Sequence, residues 1–212
     1  NALIKVHKNF VYDEEELLRF TDYNILKDKL LELSKEYKYI KCINDSHDVI
    51  AFLMILMNHE CAKYMVKHKI GIYRNLKFKD VVDSKVPDDI HDFIKIWQCS
   101  CGSYNTYDED NCHELIYGGM KKYTHITSPI RRLVDLLNMI KIQETLGFVN
   151  LSEDMNKFYN YWIDKLEYIN TTMRAIRKIQ IDCNILNMCV NNKTIIEKAY
   201  TGYVFDKVDR EN

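Results

Sequence analysis

The spacing of apolar residues predicts helices over most of the first third of the chain. Residues 4–12 alternate loosely between apolar and polar side chains, which indicates a strand that leads into a turn. From Asp13 the pattern becomes helical, with Asp13 suited to the N-cap and glutamates after it at the positive helix end. A second helix is predicted over residues 22–36, where the apolar positions at helical spacing are Ile25, Leu26, Leu30, Leu31 and Leu33.

A long helix is predicted next, from Ser46 to about Lys69. Ser46 is suited to the N-cap, and Gly71 is suited to ending the helix. The side chains from Val49 to Met57 are almost continuously apolar, which predicts a helix that is buried on most of its sides. That run is too short to cross a bilayer, so we expect no membrane contact.

Further helices and some β-structure are predicted in the rest of the chain. Pro87 opens a helix that runs to about Trp97, and residues 99–122 are typical of loops and short strands. The pair Ser128-Pro129 opens the next helix, which ends near Gly147.

The last long helix is capped by Ser152 and extends to about Asn191, with room for a break along its length. Residues 194–206 are typical of β-structure, with Gly202 at a bulge. Together these patterns predict an α+β fold in which helices dominate.

Composition and charge restrict the class of protein. The chain has 212 residues, of which 47% are hydrophobic and 29% charged, as expected for a globular domain with a sizeable core. A net charge of −1 does not support a uniformly basic nucleic-acid binder, so contacts to phosphates must come from local basic patches. The seven cysteines favour free thiols in a reducing compartment, and the first residues lack the apolar core of a signal peptide. We therefore expect an intracellular protein.

Candidate zinc ligands are Cys99 and Cys101, followed by Cys112 and His113. The one residue between Cys99 and Cys101 is fewer than the two to four that separate the cysteines of most zinc sites. Free cysteines in a loop are the simpler interpretation.

The residues around Ser128 point to an anion site. Ser128 is suited to the N-cap and Pro129 to the first helical position, which places Arg131 and Arg132 in the first turn. Cations there oppose the helix dipole, which disfavours them by about 0.3–1 kcal/mol each. Beside free backbone N–H groups, however, two guanidinium groups can bind a phosphate, and Asp135 can orient Arg131. The alternative is a solvated, salt-bridged helix start.

The same residues carry a family resemblance. Residues 123–132 read Tyr-Thr-His-Ile-Thr-Ser-Pro-Ile-Arg-Arg and are followed by Asp135; this string resembles the signature of the ribonuclease II (RNB) exoribonucleases. We call residues 123–135 the signature segment. Weaker resemblances occur in the family's order at residues 10–15, 46–64, 72–74, 165–190 and 198–205. The chain thus resembles the C-terminal half of an RNB catalytic domain over residues 1–195, and residues 196–212 resemble a lead-in to an S1-type barrel or a terminal strand.

The resemblance implies hydrolysis of single-stranded RNA from its 3′ end, with magnesium held by an aspartate cluster. That cluster belongs to the first half of the family's domain, and no Asp-x-Asp-Asp pattern occurs here. The magnesium ligands, and an N-terminal half or other subunit as partner, would therefore lie outside this chain. By position, Arg131 would contact the scissile phosphate, with Arg132 as a second cation and Ser128 beside them.

Two further residues are candidate RNA contacts. Tyr12 matches a family tyrosine that holds the 3′ nucleotide, although a half-buried strand tyrosine is the alternative interpretation. Arg177, with Arg174 and Lys178 on adjacent turns, would line an RNA channel. His125, beside these sites, is expected to be a packed, hydrogen-bonded histidine rather than an acid or base.

Two departures from the family pattern favour an alternative function. Ala51 and Phe52 stand where the family has a glutamate pair that positions the terminal ribose, and Ile176 precedes Arg177 where the family usually has glutamate. The alternative is a catalytically degenerate RNB fold that serves as a scaffold or as an RNA-binding subunit of a larger assembly.

Overall fold

The computed structural model of the chain describes residues 5–40, 42–76, 87, 90, 94, 102–109 and 122–202. Within these residues the elements are α1 (Glu15–Leu18), α2 (Thr21–Leu33), α3 (Ser46–His68), β1 (Ile72–Asn75), β2 (Ser103–Thr106), α4 (Leu133–Thr145), α5 (Glu153–Asp164), α6 (Leu166–Asn191) and α7 (Thr194–Glu197). Helices dominate, with one small sheet, so the predicted helix-rich α+β character is confirmed at this coarse level.

The sheet has two antiparallel strands in the described part of the chain. Ile72 of β1 lies opposite Thr106 of β2, and Asn75 lies opposite Ser103. Tyr73 also forms a bridge to Thr124, so the start of the signature segment pairs with the other edge of β1. The sheet therefore fixes the signature segment against the end of α3.

The bounds of α3 agree with the prediction to within one residue, but its caps differ. Asp45 is the N-cap, and its carboxylate accepts a hydrogen bond from the backbone N–H of Asp48 at 2.9 Å. After the helix, Lys69 (φ 53°) and Gly71 (φ 86°) both have left-handed backbone conformations. A Cβ atom on Gly71 would lie 1.6 Å from Cε of Met65, so glycine there meets a steric requirement as well as a conformational one.

Burial of α3 is one-sided, so the prediction that it is buried on most sides is wrong. Val49 and Phe52 are buried, whereas Ile50 and Met57 are 47% and 53% exposed. By length and composition, α3 is the one helix among the described residues that could cross a membrane, a property that core helices of soluble proteins share. The expectation of no membrane contact stays a prediction.

Two apolar clusters form the core of the described residues. The first joins α2 and α3 and contains Tyr23, Leu30, Tyr39, Ile43, Val49, Phe52 and Tyr123. The second joins the sheet to α4 and α5 and contains Ile72, Tyr104, Val134, Leu137 and Tyr159. Because Tyr123 lies in the first cluster and Val134 in the second, the signature segment connects the two halves of the core.

The N-terminal predictions need correction. Residues 5–12 contain no strand, and α1 begins at Glu15 rather than after an N-cap at Asp13. Asp13 has φ of 58°, and its carboxylate accepts hydrogen bonds from the backbone N–H and hydroxyl of Ser46 at 3.0 and 2.8 Å. These bonds lower the pKa of Asp13 below its usual value. Asp13 therefore binds Ser46 at the start of α3 instead of capping α1.

The C-terminal predictions are partly confirmed. Ser152 caps α5 by accepting a hydrogen bond from the backbone N–H of Met155 at 3.2 Å, and the expected break lies at Lys165. The predicted strand over residues 194–206 is wrong in its described part, because α7 begins at Thr194 and residues 198–202 have no regular structure. The Oδ1 atom of Asn192 accepts from the hydroxyl of Thr194 at 2.7 Å, a local turn contact that favours a helical turn.

Some predictions fall outside the described residues. Of the helix predicted over residues 87–97, only Pro87, Ile90 and Ile94 are described, and the two isoleucines are helical. The candidate zinc ligands Cys99, Cys101, Cys112 and His113 and most of residues 196–212 are not described, so these predictions stand untested.

A partly buried histidine predicts how stability depends on pH. Nδ1 of His59 lies 2.8 Å from the hydroxyl of Tyr39, and burial lowers the pKa of His59 below its ordinary value of 6.5. Since the unfolded chain then binds a proton that the folded chain does not, this histidine destabilises the protein progressively as pH falls below 6.5. We expect urea unfolding midpoints to drop less on acidification for His59→Gln than for the unmodified chain. His68→Gln, at the exposed end of α3, is the control; an unchanged acid sensitivity in His59→Gln would contradict this assignment.

Candidate nucleic-acid interface

The start of the signature segment is held by an asparagine of α3. Asn58 is fully buried, and its Nδ2 donates to the hydroxyl of Tyr123 at 2.9 Å while its Oδ1 accepts from the backbone N–H of Ile126 at 3.0 Å. Leaving a buried polar group without a hydrogen bond is unfavourable in free energy. A buried amide whose hydrogen bonds are formed therefore holds its partners in place. Asn58 therefore fixes both the side chain and the backbone of the segment.

A second asparagine, on α4, holds the same segment from the other side. The Oδ1 atom of Asn138 accepts from the backbone N–H of Ile72 at 2.8 Å. Its Nδ2 lies 2.9 Å from the carbonyl of Ile72, 2.7 Å from the hydroxyl of Thr124 and 3.0 Å from the carbonyl of His125. Asn138 thus joins α4, β1 and the signature segment through one fully buried amide.

Asp135 organises the second half of the segment. Its side chain is fully buried, and Oδ1 accepts from the backbone N–H of Ser128 at 2.8 Å and from Nη2 of Arg132 at 2.9 Å. Nε of Arg132 also lies 2.9 Å from Oδ2, off the hydrogen-bonding direction. The expectation that Asp135 orients Arg131 is therefore wrong: it binds Arg132.

The helix start predicted at Ser128 is also wrong. Helix α4 begins at Leu133 with Arg132 as N-cap, and Ser128 instead closes a turn in which its carbonyl accepts from the N–H groups of Arg131 and Arg132 at 3.3 and 3.1 Å. The backbone N–H of Ser128 is taken by Asp135 rather than left free. The predicted anion site combined free backbone N–H groups at a helix start with two arginine side chains. Without those N–H groups, only the arginine side chains remain as candidate anion ligands.

The two arginines have different environments. Arg132 has a side chain that is 18% exposed and paired with Asp135. Arg131 is exposed, and its guanidinium has no ion pair or hydrogen bond within the part of the chain that the structure describes. The neighbouring Ile130 is fully exposed as well. Arg131 therefore stands at the tip of a turn whose base is fixed.

A tyrosine–histidine pair lies behind this turn. The hydroxyl of Tyr104 is 2.6 Å from Nδ1 of His125, so His125 is hydrogen-bonded as expected. Burial raises the pKa of Tyr104 and Tyr123, and the nearby charges of Arg74 and Arg132 oppose that rise. These two arginines therefore lie close to both phenols.

Arg74 lies beside the signature segment, since its backbone N–H donates to the carbonyl of Tyr123 at 2.9 Å. The sequence indicated this residue only as part of a family-like segment. A Cβ atom on Gly102 would lie 2.9 Å from Nε of Arg74, so glycine at that position makes room for the guanidinium. This close approach links Arg74 of β1 with Gly102, the residue before β2. No sequence pattern connects these two residues.

An apolar groove runs along the exposed face of α3. A cavity of about 310 Å³ is lined by Ile50, Leu53, Met54, Thr127 and Ser128. A second cavity, of about 460 Å³, is lined by Met57, Cys61, Ile126, Thr127, Met139, Ile142, Gln143, Leu146 and Phe148. Thr127 lines both cavities, and we call the two together the α3 groove. The signature segment forms its wall between α3 and α4.

Tyr12 lies at the N-terminal end of α3. Its ring stacks on His47, with centroids 3.8 Å apart and an interplanar angle of 22°. His47 precedes Ile50 by one turn, so this stack lies about 5 Å along the helix axis from the groove. Tyr12 is 51% exposed and has no strand around it, so the strand part of the alternative interpretation is wrong.

Arg177 is separate from this arrangement in the described residues. Asn170 of α6 binds both the N–H and the carbonyl of Tyr104, at 2.7 and 3.0 Å. Arg177 lies two turns further on the same side of the helix, about 10 Å along its axis. Arg174 pairs with Glu167 at 2.9 Å. The described structure shows no contact of Arg177 with Arg131 or Tyr12.

The described site is therefore one exposed arginine on a fixed turn, beside an apolar groove with a stacked tyrosine at its end. No protein-family model and no curated protein matches the chain. The resemblance to the RNB exoribonucleases therefore stays a prediction from the signature segment and the weaker resemblances in order around it.

The described residues do not fit a magnesium site. Asp13, Asp45 and His47 have possible ligand atoms within 4.8 Å of one another, and all three are exposed. Asp45 caps α3, Asp13 is bonded to Ser46, and His47 stacks on Tyr12. Imidazole is also a poor ligand for magnesium, which prefers carboxylate and water oxygens in octahedral geometry. No chemical step is assigned to this cluster.

Proposed function

We propose that this chain is the RNA-binding, C-terminal half of an RNB-type 3′-5′ exoribonuclease domain. The observation that carries the proposal is the contrast between Arg131, exposed and unpaired in the described structure, and the buried Arg132–Asp135 pair beneath it. A guanidinium offers a planar pair of donors that matches two phosphate oxygens. In this proposal Arg131 binds a backbone phosphate and stabilises the negative charge that develops on it.

The neighbouring surfaces support a single strand as the ligand. Unpaired bases expose their faces, and the stacked pair of Tyr12 and His47 offers an aromatic platform for one. The apolar α3 groove begins one turn from that platform, and Ser128 lines its first cavity. A base-paired helix would keep its bases stacked and would not use either surface.

Hydrolysis would need carboxylates and magnesium supplied by residues outside this chain. The partner that supplies them would be an N-terminal half of the domain or another subunit. Cys42 and Cys61, free in the structure, agree with the proposed intracellular location.

A non-catalytic RNA-binding subunit or scaffold is the alternative. It is favoured by α3, where Ala51 is partly buried and Phe52 is fully buried in the first core cluster. Neither side chain can offer a carboxylate to a terminal ribose. A nuclease assay on the full-length protein with magnesium and single-stranded RNA distinguishes the two functions. Binding of the RNA without cleavage supports the scaffold.

Arg131→Ala is the test of the proposed interface. Hydrogen bonds to a charged group contribute about 1.5–3 kcal/mol, so we expect affinity for single-stranded RNA to fall about 10- to 100-fold. Fluorescence anisotropy with an end-labelled oligonucleotide, at low and at near-physiological salt, measures both the affinity and its salt dependence, which should weaken with the loss of one phosphate contact. Arg131→Lys should retain part of the affinity, because it keeps the charge but loses the second donor.

The matched control is Arg19→Ala, which removes an exposed arginine paired with Glu15 on α1. Since both side chains are exposed, both variants should unfold at the temperature of the unmodified chain. If Arg131→Ala and Arg19→Ala bind RNA equally well, the signature segment does not hold phosphate and the proposed interface is wrong.

A further inference from the structure

Asp13, Asp45 and His47 come together where the segment before α1 meets the start of α3. Their possible ligand atoms all lie within 4.8 Å of one another. Oδ2 of Asp13 is 3.6 Å from Nδ1 of His47, which is longer than the roughly 2.7–3.2 Å of an ordinary hydrogen bond. Two ligands of a tetrahedral zinc ion, each about 2.0–2.2 Å from the metal, are about 3.4 Å apart. The spacing of this pair is therefore close to that of two zinc ligands.

Each of the three side chains keeps a ligand atom apart from its structural contacts. Asp13 binds Ser46 through Oδ1, and its Oδ2 faces His47. Asp45 caps α3 through Oδ1, and its Oδ2 has no hydrogen bond among the described residues. His47 stacks on Tyr12 with the face of its ring, whereas a metal binds a ring nitrogen in the plane of the ring. The structural contacts therefore orient the three ligands and leave one ligand atom of each accessible.

A buried tyrosine hydroxyl faces the two carboxylates. Tyr23 is only 8% exposed, and its hydroxyl has no hydrogen-bond partner in the part of the chain that the structure describes. Burial raises the pKa of Tyr23, and the negative charges of Asp13 and Asp45 raise it further, so the hydroxyl lies within electrostatic reach of both. A buried polar group without a partner points to a water or an ion beside it. Three protein ligands leave the fourth position of zinc to a water, which would be a partner for this hydroxyl.

The charges around the three ligands favour a cation. Asp48, whose carboxylate accepts from the backbone N–H of Asn44 at 2.8 Å, adds a third negative charge to those of Asp13 and Asp45. The ammonium of Lys27 donates to the carbonyl of Asn44 at 2.9 Å and adds one positive charge. The N-terminus of α3 adds roughly half an elementary charge of the same sign. The carboxylates therefore outweigh the positive charges near the site.

We propose that Asp13, Asp45 and His47 bind a zinc ion that links the segment before α1 to the start of α3. Carboxylates and imidazole are both zinc ligands, whereas imidazole disfavours magnesium. The ion would hold Asp13 against the first turn of α3, in addition to the hydrogen bonds of Asp13 with Ser46. This inference does not depend on the proposed phosphate contact of Arg131.

Isothermal titration calorimetry of the chelator-treated full chain with zinc chloride tests the site. The sequence contains other candidate zinc ligands, so the background chain for all titrations carries Cys99→Ser, Cys101→Ser and Cys112→Ser. It should bind one zinc ion. His47→Gln and Asp13→Asn should each weaken binding by at least about 10-fold, the smallest loss typical of removing even an outer-sphere partner. The asparagine keeps an oxygen for Ser46, so circular dichroism should show unchanged helix content.

Thermal unfolding tests whether the ion bridges the two parts of the chain. Zinc should raise the unfolding temperature of the background chain, because the site exists only when the chain is folded, and Asp13→Asn should abolish the rise. His68→Gln is the matched control, since His68 is exposed at the other end of α3. A background chain that binds no zinc overturns the proposal. So does binding that His47→Gln or Asp13→Asn leaves unchanged, or that His68→Gln weakens as much as His47→Gln does.

Discussion

Asn138→Ala is expected to destabilise the protein by about 3–5 kcal/mol, a large share of the roughly 5–15 kcal/mol by which domains are stable. The buried amide of Asn138 is the partner of the N–H of Ile72 and of the carbonyl of His125. Each buried hydrogen bond that is lost with the amide costs about 1–3 kcal/mol. The carbonyl of Ile72 keeps the hydroxyl of Thr124 as a donor at 2.7 Å, which limits the loss.

Urea unfolding monitored by circular dichroism measures the effect of this substitution. Asn184→Ala is the matched control, because Asn184 is exposed on α6 and gains the same helix propensity. We expect the control to change the free energy of unfolding by less than about 0.5 kcal/mol. A similarly small loss in Asn138→Ala would mean that the amide does not hold α4, β1 and the signature segment together.

Asp135→Ala is expected to have a comparable effect for a different reason. It removes a fully buried carboxylate and leaves Arg132, whose side chain is only 18% exposed, without its partner. Breaking one side of a buried ion pair costs about 3–5 kcal/mol, because the remaining charge is uncompensated. Asp135→Asn should cost less, since its side-chain oxygen still accepts from the backbone N–H of Ser128.

A double-mutant cycle separates this cause from a simple loss of packing. The double variant Asp135→Ala with Arg132→Ala should be more stable than the sum of the two single losses predicts, because it removes the orphaned charge. Glu167→Ala, which breaks the exposed pair with Arg174, should cost no more than about 1 kcal/mol. Additive losses in the cycle would show that Asp135 does not act through Arg132.

The helices could be predicted because their signals are local. The apolar spacing in α2 and the glycine after α3 act within a few residues, and their bounds were found to within a few residues. The start of α4 could not be found in this way. Ser128 followed by proline is a good capping pattern, but Asp135 takes the N–H of Ser128, and the helix begins five residues later at Leu133.

The site was predictable in composition but not in arrangement. Spacing allows Asp135 to pair with Arg131 or with Arg132, and only the folded turn shows that it binds Arg132. Asn58 and Asn138 were missed as organising residues. Each stands next to large apolar residues at a buried helical position, and a polar side chain in such a place is the signal that could have identified them.

The amides of Asn58 and Asn138 have a consequence for the kinetics of any ligand at Arg131. Both bind backbone groups of the signature segment, so the chain adopts its final path there when the protein folds and not when a ligand arrives. Association then loses little conformational entropy, apart from that of the arginine side chain. Ligands that differ in affinity at this turn will differ mainly in how long they stay bound.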